Sequence, residues 1–141
     1  MAEWEEYLVQ AGCRITAPRR AVAHVLQETA TPLAPQEILE RGRKLYRKLG
    51  LVTVYRTVSL LEDLNLVRRV HQEGGCHGYM PASPGHRHIL VCRRCGGAVE
   101  FSGEDNLGAL MERVEAETGY QVSGHLLQLF GLCPACQKAE V

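Results

Sequence analysis

Four cysteines fall in two Cys-x-x-Cys pairs, Cys92/Cys95 in "CRRCGG" and Cys133/Cys136 in "CPAC". Each such turn aims two thiolates at one point. Two turns complete the four tetrahedral ligands of a structural zinc, whose bonds to sulfur are about 2.3 Å long. Gly96 eases the first turn, and Pro134 restricts the backbone of the second. The rival reading, a redox pair, needs a βαβ setting that the surrounding sequence lacks. The expectation is a four-cysteine zinc site tying the start of a domain to its end, so that folding there is partly metal binding.

Ahead of the first pair stands "GHRHILVC". His86 and His88 are two apart, so on a strand they project from one face. The four strand residues from His88 to Cys92 span about 13 Å, too far for a histidine and a cysteine to share one ion. The histidines therefore read as the start of a second site, with His125 and a carboxylate, Glu104 or Asp105, as further ligands. Two or three imidazoles and a carboxylate suit zinc, and also iron, nickel, cobalt or manganese, to differing degrees, and such a set exchanges more readily than four thiolates. The plainer reading is that these histidines are ordinary strand residues.

The elements that must position these groups follow from periodicity. Thr16 caps a helix, Pro18 suits its first turn, and Val22, Val25 and Leu26 give it an apolar face. A second helix starts near Pro35, with Ile38, Leu39, Leu45 and Leu49 inward. A third covers about 53–65, "TVYRTVSLLEDLN", with Val54, Val58, Leu61 and Leu64 on one side and Tyr55, Arg56 and Ser59 on the other. "LVRRVHQ", the turn "EGG" and "CHGYM" make a hairpin, with Arg68 and Arg69 at its start. Helices followed by a hairpin form a winged helix-turn-helix, whose last helix enters the DNA major groove. The arginines read equally as solvated surface. "PASPG" resembles a hinge. Beyond it, "HRHILVC" and "GGAVEFS" read as strands, "NLGALMERVEAETG" as a helix with Leu107, Leu110, Met111 and Val114 on one face, and "YQVSGHLLQLFGLC" as a strand carrying His125. The fold class is α+β: a winged-helix domain over 1–81, a hinge at 82–85, and a small α/β metal-binding domain over 86–141.

The chain of 141 residues carries 16 basic and 16 acidic side chains, so any DNA contact works through a local face rather than bulk charge. No apolar run approaches the ~20 residues of a membrane span. "MAEWEEYLVQ" lacks the pattern of a signal peptide, and the paired cysteines suit a reducing compartment, so the expected location is the cytoplasm.

Winged helix, hinge, His-x-His strand and paired knuckles together resemble the ferric uptake regulator (Fur) family of metal-dependent repressors over nearly the whole chain. The most specific pieces are "GCRITAPR", "GLVTVYRTVSLLEDLNLV", "CRRCGGAVEFS" and "GHLLQLFGLCPAC". The resemblance implies a homodimer whose metal loading spaces two DNA-binding domains for a palindromic double-stranded operator. It puts the DNA-reading helix on Thr53 to Asn65, with Tyr55 and Arg56 as contacts beside Thr53 and Ser59, and Arg19 near the DNA backbone. It puts the structural zinc on Cys92, Cys95, Cys133 and Cys136.

The family's dimerisation-domain site falls on His86, His88, His125 and an acidic residue. Strict counting reaches Leu107, so Glu104, or Asp105 beside it, takes that role. The family's interdomain site falls on Arg87 and Ile89, with Leu33 and Met80 at its other positions, and none of these binds metal. That argues against peroxide sensing. Cys76, His77 and His71, in or beside the wing, form either a substitute site, where a thiolate favours zinc over iron, or packing and surface.

The resemblance therefore implies a zinc-responsive repressor of metal-uptake genes, with iron or manganese sensing as the near alternative. It implies neither a membrane nor an organic small-molecule substrate. A zinc hydrolase using Glu100 as base, and a zinc-stabilised interaction module, are the rivals from other classes. Neither accounts for the helix "TVYRTVSLLEDLN" joined to a hairpin.

Overall fold

The computed structural model describes residues 2–72, 77–103 and 107–139. Its first half is helical. Helix α1 (Ala2–Gln10) sets Trp4 and Leu8 into the core, and Glu5 Oε1 accepts from Arg20 Nε at 2.7 Å. The acidic N-terminal stretch thus forms an element that the charge pattern did not announce. In α2 (Ala17–Glu28), the Thr16 hydroxyl accepts from the Arg19 N–H at 3.3 Å, and Pro18 lies in the first turn. Its buried face includes Val22, Val25 and Leu26 as expected.

Helix α3 (Pro35–Gly42) begins on a proline, and Glu37 reaches back to accept from the Ala34 N–H at 3.1 Å. The helix stops at Gly42, where Leu49 folds back so closely that a Cβ would strike it. That early stop corrects one expectation: Leu49 and Ile38 are buried, but Leu45 lies past the helix and faces solvent. Helix α4 (Leu51–Asp63) starts two residues earlier than its periodicity suggested and buries Val54, Thr57, Val58 and Leu61. Asn65, with φ 58°, ends this run; asparagine tolerates the left-handed turn better than most residues.

The turn leads into the hairpin β1 (Val67–His71) and β2 (His77–Pro81), antiparallel with Val67 opposite Pro81 and His71 opposite His77. Leu33 pairs with Tyr79 and joins the hairpin to the helices. Trp4, Leu8, Val22, Leu26, Ile38, Val54, Leu61, Val67 and Tyr79 share one core cluster. Each such aliphatic side chain contributes about 1.5–3 kcal/mol by burial.

A second sheet has the order β4-β3-β5, from β3 (Arg87–Cys92), β4 (Ala98–Ser102) and β5 (Gln128–Gly131). Strands β3 and β4 are antiparallel, whereas β3 and β5 are parallel, with α5 (Leu107–Thr118) in the connection between β4 and β5. Helix α6 (Pro134–Ala139) closes the described chain. Ile89 and Val91 face the hairpin and form a second cluster with Val70 and Met80. On the opposite face Leu90, Val99 and Leu129 stand side by side across the three strands, 37%, 59% and 46% exposed.

Two expectations change in this half. The strand read through "YQVSGHLLQLFGLC" is only Gln128–Gly131, because β5 pairs only with Ile89 to Cys92; His125 precedes it in irregular chain. The apolar face of α5 has the expected period, yet none of its residues is buried. No helix among the described residues is long and apolar enough to cross a membrane.

Candidate metal centres and nucleic-acid interface

Cys92 ends β3, and Gly96, at φ 77°, turns the chain so that Cys95 comes back toward it. Pro134 starts α6, which brings Cys136 round beside Cys133. The four Sγ atoms lie within 4.8 Å of one another, and those of Cys95 and Cys133 are 3.8 Å apart. Zinc–sulfur bonds of about 2.3 Å in a tetrahedron put neighbouring sulfurs about 3.8 Å apart, so the set fits a zinc ion.

Backbone amides are aimed at the sulfurs. Cys133 N–H donates to Cys92 Sγ and Gly97 N–H to Cys95 Sγ, each at 3.4 Å. Amide donation from Cys95 and then Cys133 pulls the Cys92 thiol down to about 6, while hydrogen bonding with Cys133 and burial push Cys136 up to about 12. One sulfur is poised as thiolate, and its neighbour holds its proton until a cation replaces it.

The histidine cluster is separate from the cysteine cluster. Nε2 of His86 and Nε2 of His125 are 3.0 Å apart, close to the about 3.3 Å that two nitrogens span on one tetrahedral zinc. His88, 4% exposed, lies 4.8 Å from the His86 ring and 5.4 Å from the His125 ring, centroid to centroid. One nitrogen from each of the three lies within 4.8 Å of the others. Phe101, opposite His88 on β4, packs on its ring at 5.5 Å. Glu104 and Asp105, the carboxylates expected here, fall outside the described residues.

Gly103 positions the cluster and was not singled out from sequence. Its N–H donates to the His86 carbonyl at 2.9 Å, and a Cβ there would strike both that carbonyl and the His86 ring. A glycine after a strand is too common a signal to have marked it.

In the wing, His71 and His77 face each other across the hairpin with ring centroids 4.8 Å apart, and Nδ1 of His77 is buried with no hydrogen-bond partner among the described residues. Cys76 lies outside the described residues. Arg87 projects toward the cleft between the two sheets with its Nε buried, and Ile89 belongs to the second core cluster.

Helix α4 presents Tyr55, Arg56 and Ser59 to solvent, with Thr53 half-buried and its carbonyl accepting from the Thr57 hydroxyl at 2.7 Å. Val52 is also exposed on the first turn, an apolar contact that polar-residue reasoning passed over. Arg19 is half-buried and donates to the Arg14 carbonyl at 2.6 Å.

The two wing arginines are already engaged. Arg69 pairs with Glu62 at 3.0 Å and lies over the Tyr79 ring at 5.7 Å. Arg68 Nε donates to Glu100 Oε2 at 2.6 Å, and its Nη2 reaches the carbonyls of Ser83 at 3.3 Å and Gly85 at 3.2 Å. Glu100 Oε1 also accepts from the Ser83 N–H at 3.0 Å. The carboxylate suggested as a hydrolytic base is therefore a structural partner. A second tie joins the same two sheets. Gln128 Oε1 accepts from the His71 N–H at 3.0 Å, and Gln128 Nε2 donates to the His71 carbonyl at 2.6 Å.

Helices α1 to α4 with the β1–β2 hairpin, followed by an α/β module holding a four-cysteine cluster, define a winged-helix regulator with a metal-binding domain. Comparison with known proteins agrees. The sequence model of the ferric uptake regulator family matches residues 10–130. The ferric uptake regulation protein of Escherichia coli is 32% identical over 136 residues, which cover 94% of this chain and 91% of that one. The solved ferric uptake regulator of Vibrio cholerae superposes with a TM-score of 0.63 at 32% identity, over 91% of this chain and 98% of its own. A zinc uptake regulator solved with zinc and DNA gives a TM-score of 0.80 over 99% of this chain and 93% of its own; at 24% identity that likeness speaks of the fold.

The chain belongs to the ferric uptake regulator family, whose members are metal-responsive, DNA-binding transcriptional regulators.

Proposed function

We propose that this chain is a zinc-responsive transcriptional repressor controlling metal uptake genes, working as a homodimer on a palindromic operator. The observation that carries the reading is the convergence of His86, His88 and His125 apart from the four-cysteine cluster. Three imidazoles form a site intermediate in softness, and zinc outbinds iron and manganese at such a set. Glu104, or Asp105 beside it, adds the carboxylate. Cys92, Cys95, Cys133 and Cys136 hold a closed structural zinc. A bound regulatory ion joins the segments carrying His86 and His125, and it shifts the protein toward the DNA-competent form by binding that form more tightly.

DNA recognition falls to α4, through Tyr55, Arg56 and Ser59 with Thr53 nearby, and Arg19 contacts the backbone. The winged-helix domain spans 1–81, the hinge 82–85 and the dimerisation domain 86–141. The open row of Leu90, Val99 and Leu129, together with the uncovered apolar face of α5, supports pairing with a second copy. Iron sensing is the second reading, favoured by a relative named for ferric uptake.

Native mass spectrometry of wild type and His88→Ala tests the site. Two metals per chain in the wild type and one in the variant are expected. A variant that keeps every metal overturns the regulatory assignment. Operator affinity measured under zinc, ferrous and manganous ions in metal buffers separates the two sensing readings.

A further inference from the structure

Two polar ties connect the hairpin that follows the DNA-reading helix to the module that carries the histidines, and both end beside the histidine cluster. The first is the Arg68 guanidinium, which holds Glu100 on β4 and the carbonyls of Ser83 and Gly85. Gly85 directly precedes His86. The second is Gln128, which grips His71 on β1 by both backbone polar groups. Gln128 lies three residues beyond His125. Both ties therefore reach β1, and their far ends flank the two histidines whose Nε2 atoms meet at 3.0 Å.

These contacts are built to persist. The Glu100 side chain is only 9% exposed and takes hydrogen bonds on both oxygens. A buried carboxylate with its partners in place is stable, whereas loss of one partner leaves an uncompensated charge. Strand β1 reaches α4 through the short turn at Asn65, and Arg69 adds a link by pairing with Glu62 near the helix end. A change in the spacing of Gly85 and Gln128 thus moves the anchor points of β1, and β1 moves with α4.

We propose that Arg68 and Gln128 are positioning residues that carry the state of the histidine site to the DNA-reading helix through these two metal-free ties. The proposal rests on the regulatory reading of the histidine site. Allosteric coupling is a free energy shared reciprocally between two sites, so whatever factor zinc adds to DNA affinity, DNA must add to zinc affinity. Severing a tie should lower both factors together and leave each site intact by itself.

The experiment uses the full-length chain and variants Gln128→Ala and Glu100→Gln, with a duplex selected from a random pool by the zinc-loaded wild type. Duplex affinity is measured with zinc and with zinc at the histidine site buffered away, and zinc affinity is measured with and without duplex. Both variants are expected to keep two zinc ions per chain and the wild-type affinity for zinc alone. The zinc-dependent gain in duplex affinity should fall by about fivefold or more in each, with an equal fall in the reciprocal gain. A merely structural weakening lowers the melting temperature and leaves the zinc-dependent gain in duplex affinity at its wild-type size. Variants that respond to zinc as strongly as a responsive wild type overturn the coupling and leave the regulatory site standing. A wild type whose duplex affinity ignores zinc overturns both. Should Glu100→Gln fail to fold, Gln128→Ala decides alone, since it removes no charge.

Discussion

His86 and His125 bring their Nε2 atoms to 3.0 Å from positions 39 residues apart, one at the mouth of β3 and one in irregular chain ahead of β5. Two ring nitrogens at that separation share either a proton or an ion. The backbone that holds them there is specific: Gly103 sits where any Cβ would displace His86.

Gly103→Ala should therefore weaken metal binding at the histidine cluster without touching the cysteines. Misplacing a ligand through its support typically costs 10–100-fold in affinity, and we expect about that loss. Competition titration with a chromophoric chelator reads it. An unchanged affinity would show that His86 does not depend on this contact.

Arg56→Ala should weaken operator binding by about 1–3 kcal/mol, because the side chain is exposed on α4 and makes no contact within the core. The melting temperature should not move. Anisotropy titration against salt concentration separates a phosphate contact, which lowers the salt slope, from a base contact, which relaxes sequence preference.

Leu90→Asp places a charge in the middle of the Leu90, Val99 and Leu129 row. Sedimentation velocity should show a dimeric wild type and a monomeric variant, with zinc content at the cysteine site equal in the two. A dimer that survives the substitution places the interface elsewhere.

The cysteine cluster predicts how proton release follows pH. Cys92, lowered to about 6, is a thiolate at neutral pH, and Cys136, raised to about 12, is a thiol. Zinc uptake at neutral pH should therefore release fewer protons than four ordinary thiols would, and the number should rise as pH falls through about 6. The stability signs differ. Stabilisation from the lowered Cys92 is present above the ordinary thiol range and lost as pH falls through about 6; that from the raised Cys136 is present below the ordinary range and lost as pH rises through about 12. Calorimetry of zinc binding in buffers of different ionisation enthalpy counts the protons.

What was legible in the sequence was local. A Cys-x-x-Cys turn brings its own ligands together, and strand parity puts His86 and His88 on one face, so both clusters could be read before the fold was known. The α4 face was legible for the same reason. Helix α1 was not, because its acidic first turn masks the few apolar residues, Trp4 and Leu8, that bury it. The α5 period was right, yet it did not tell that none of the helix would be buried. His125 was grouped with the two histidines it meets but on the wrong element, since an apolar run does not reveal where parallel pairing with β3 begins. Arg68 with Glu100 and Gln128 with His71 lie 32 and 57 residues apart and leave no pattern in the sequence.

Strand β3 alternates between two neighbours. Ile89 and Val91 turn toward the hairpin of their own chain, while His88 and Leu90 turn toward the histidine cluster and the open sheet face. Because the alternation has a period of two, deleting or inserting one residue in this strand would exchange all of these assignments in one event. Such a strand can drift in side-chain identity but not in length.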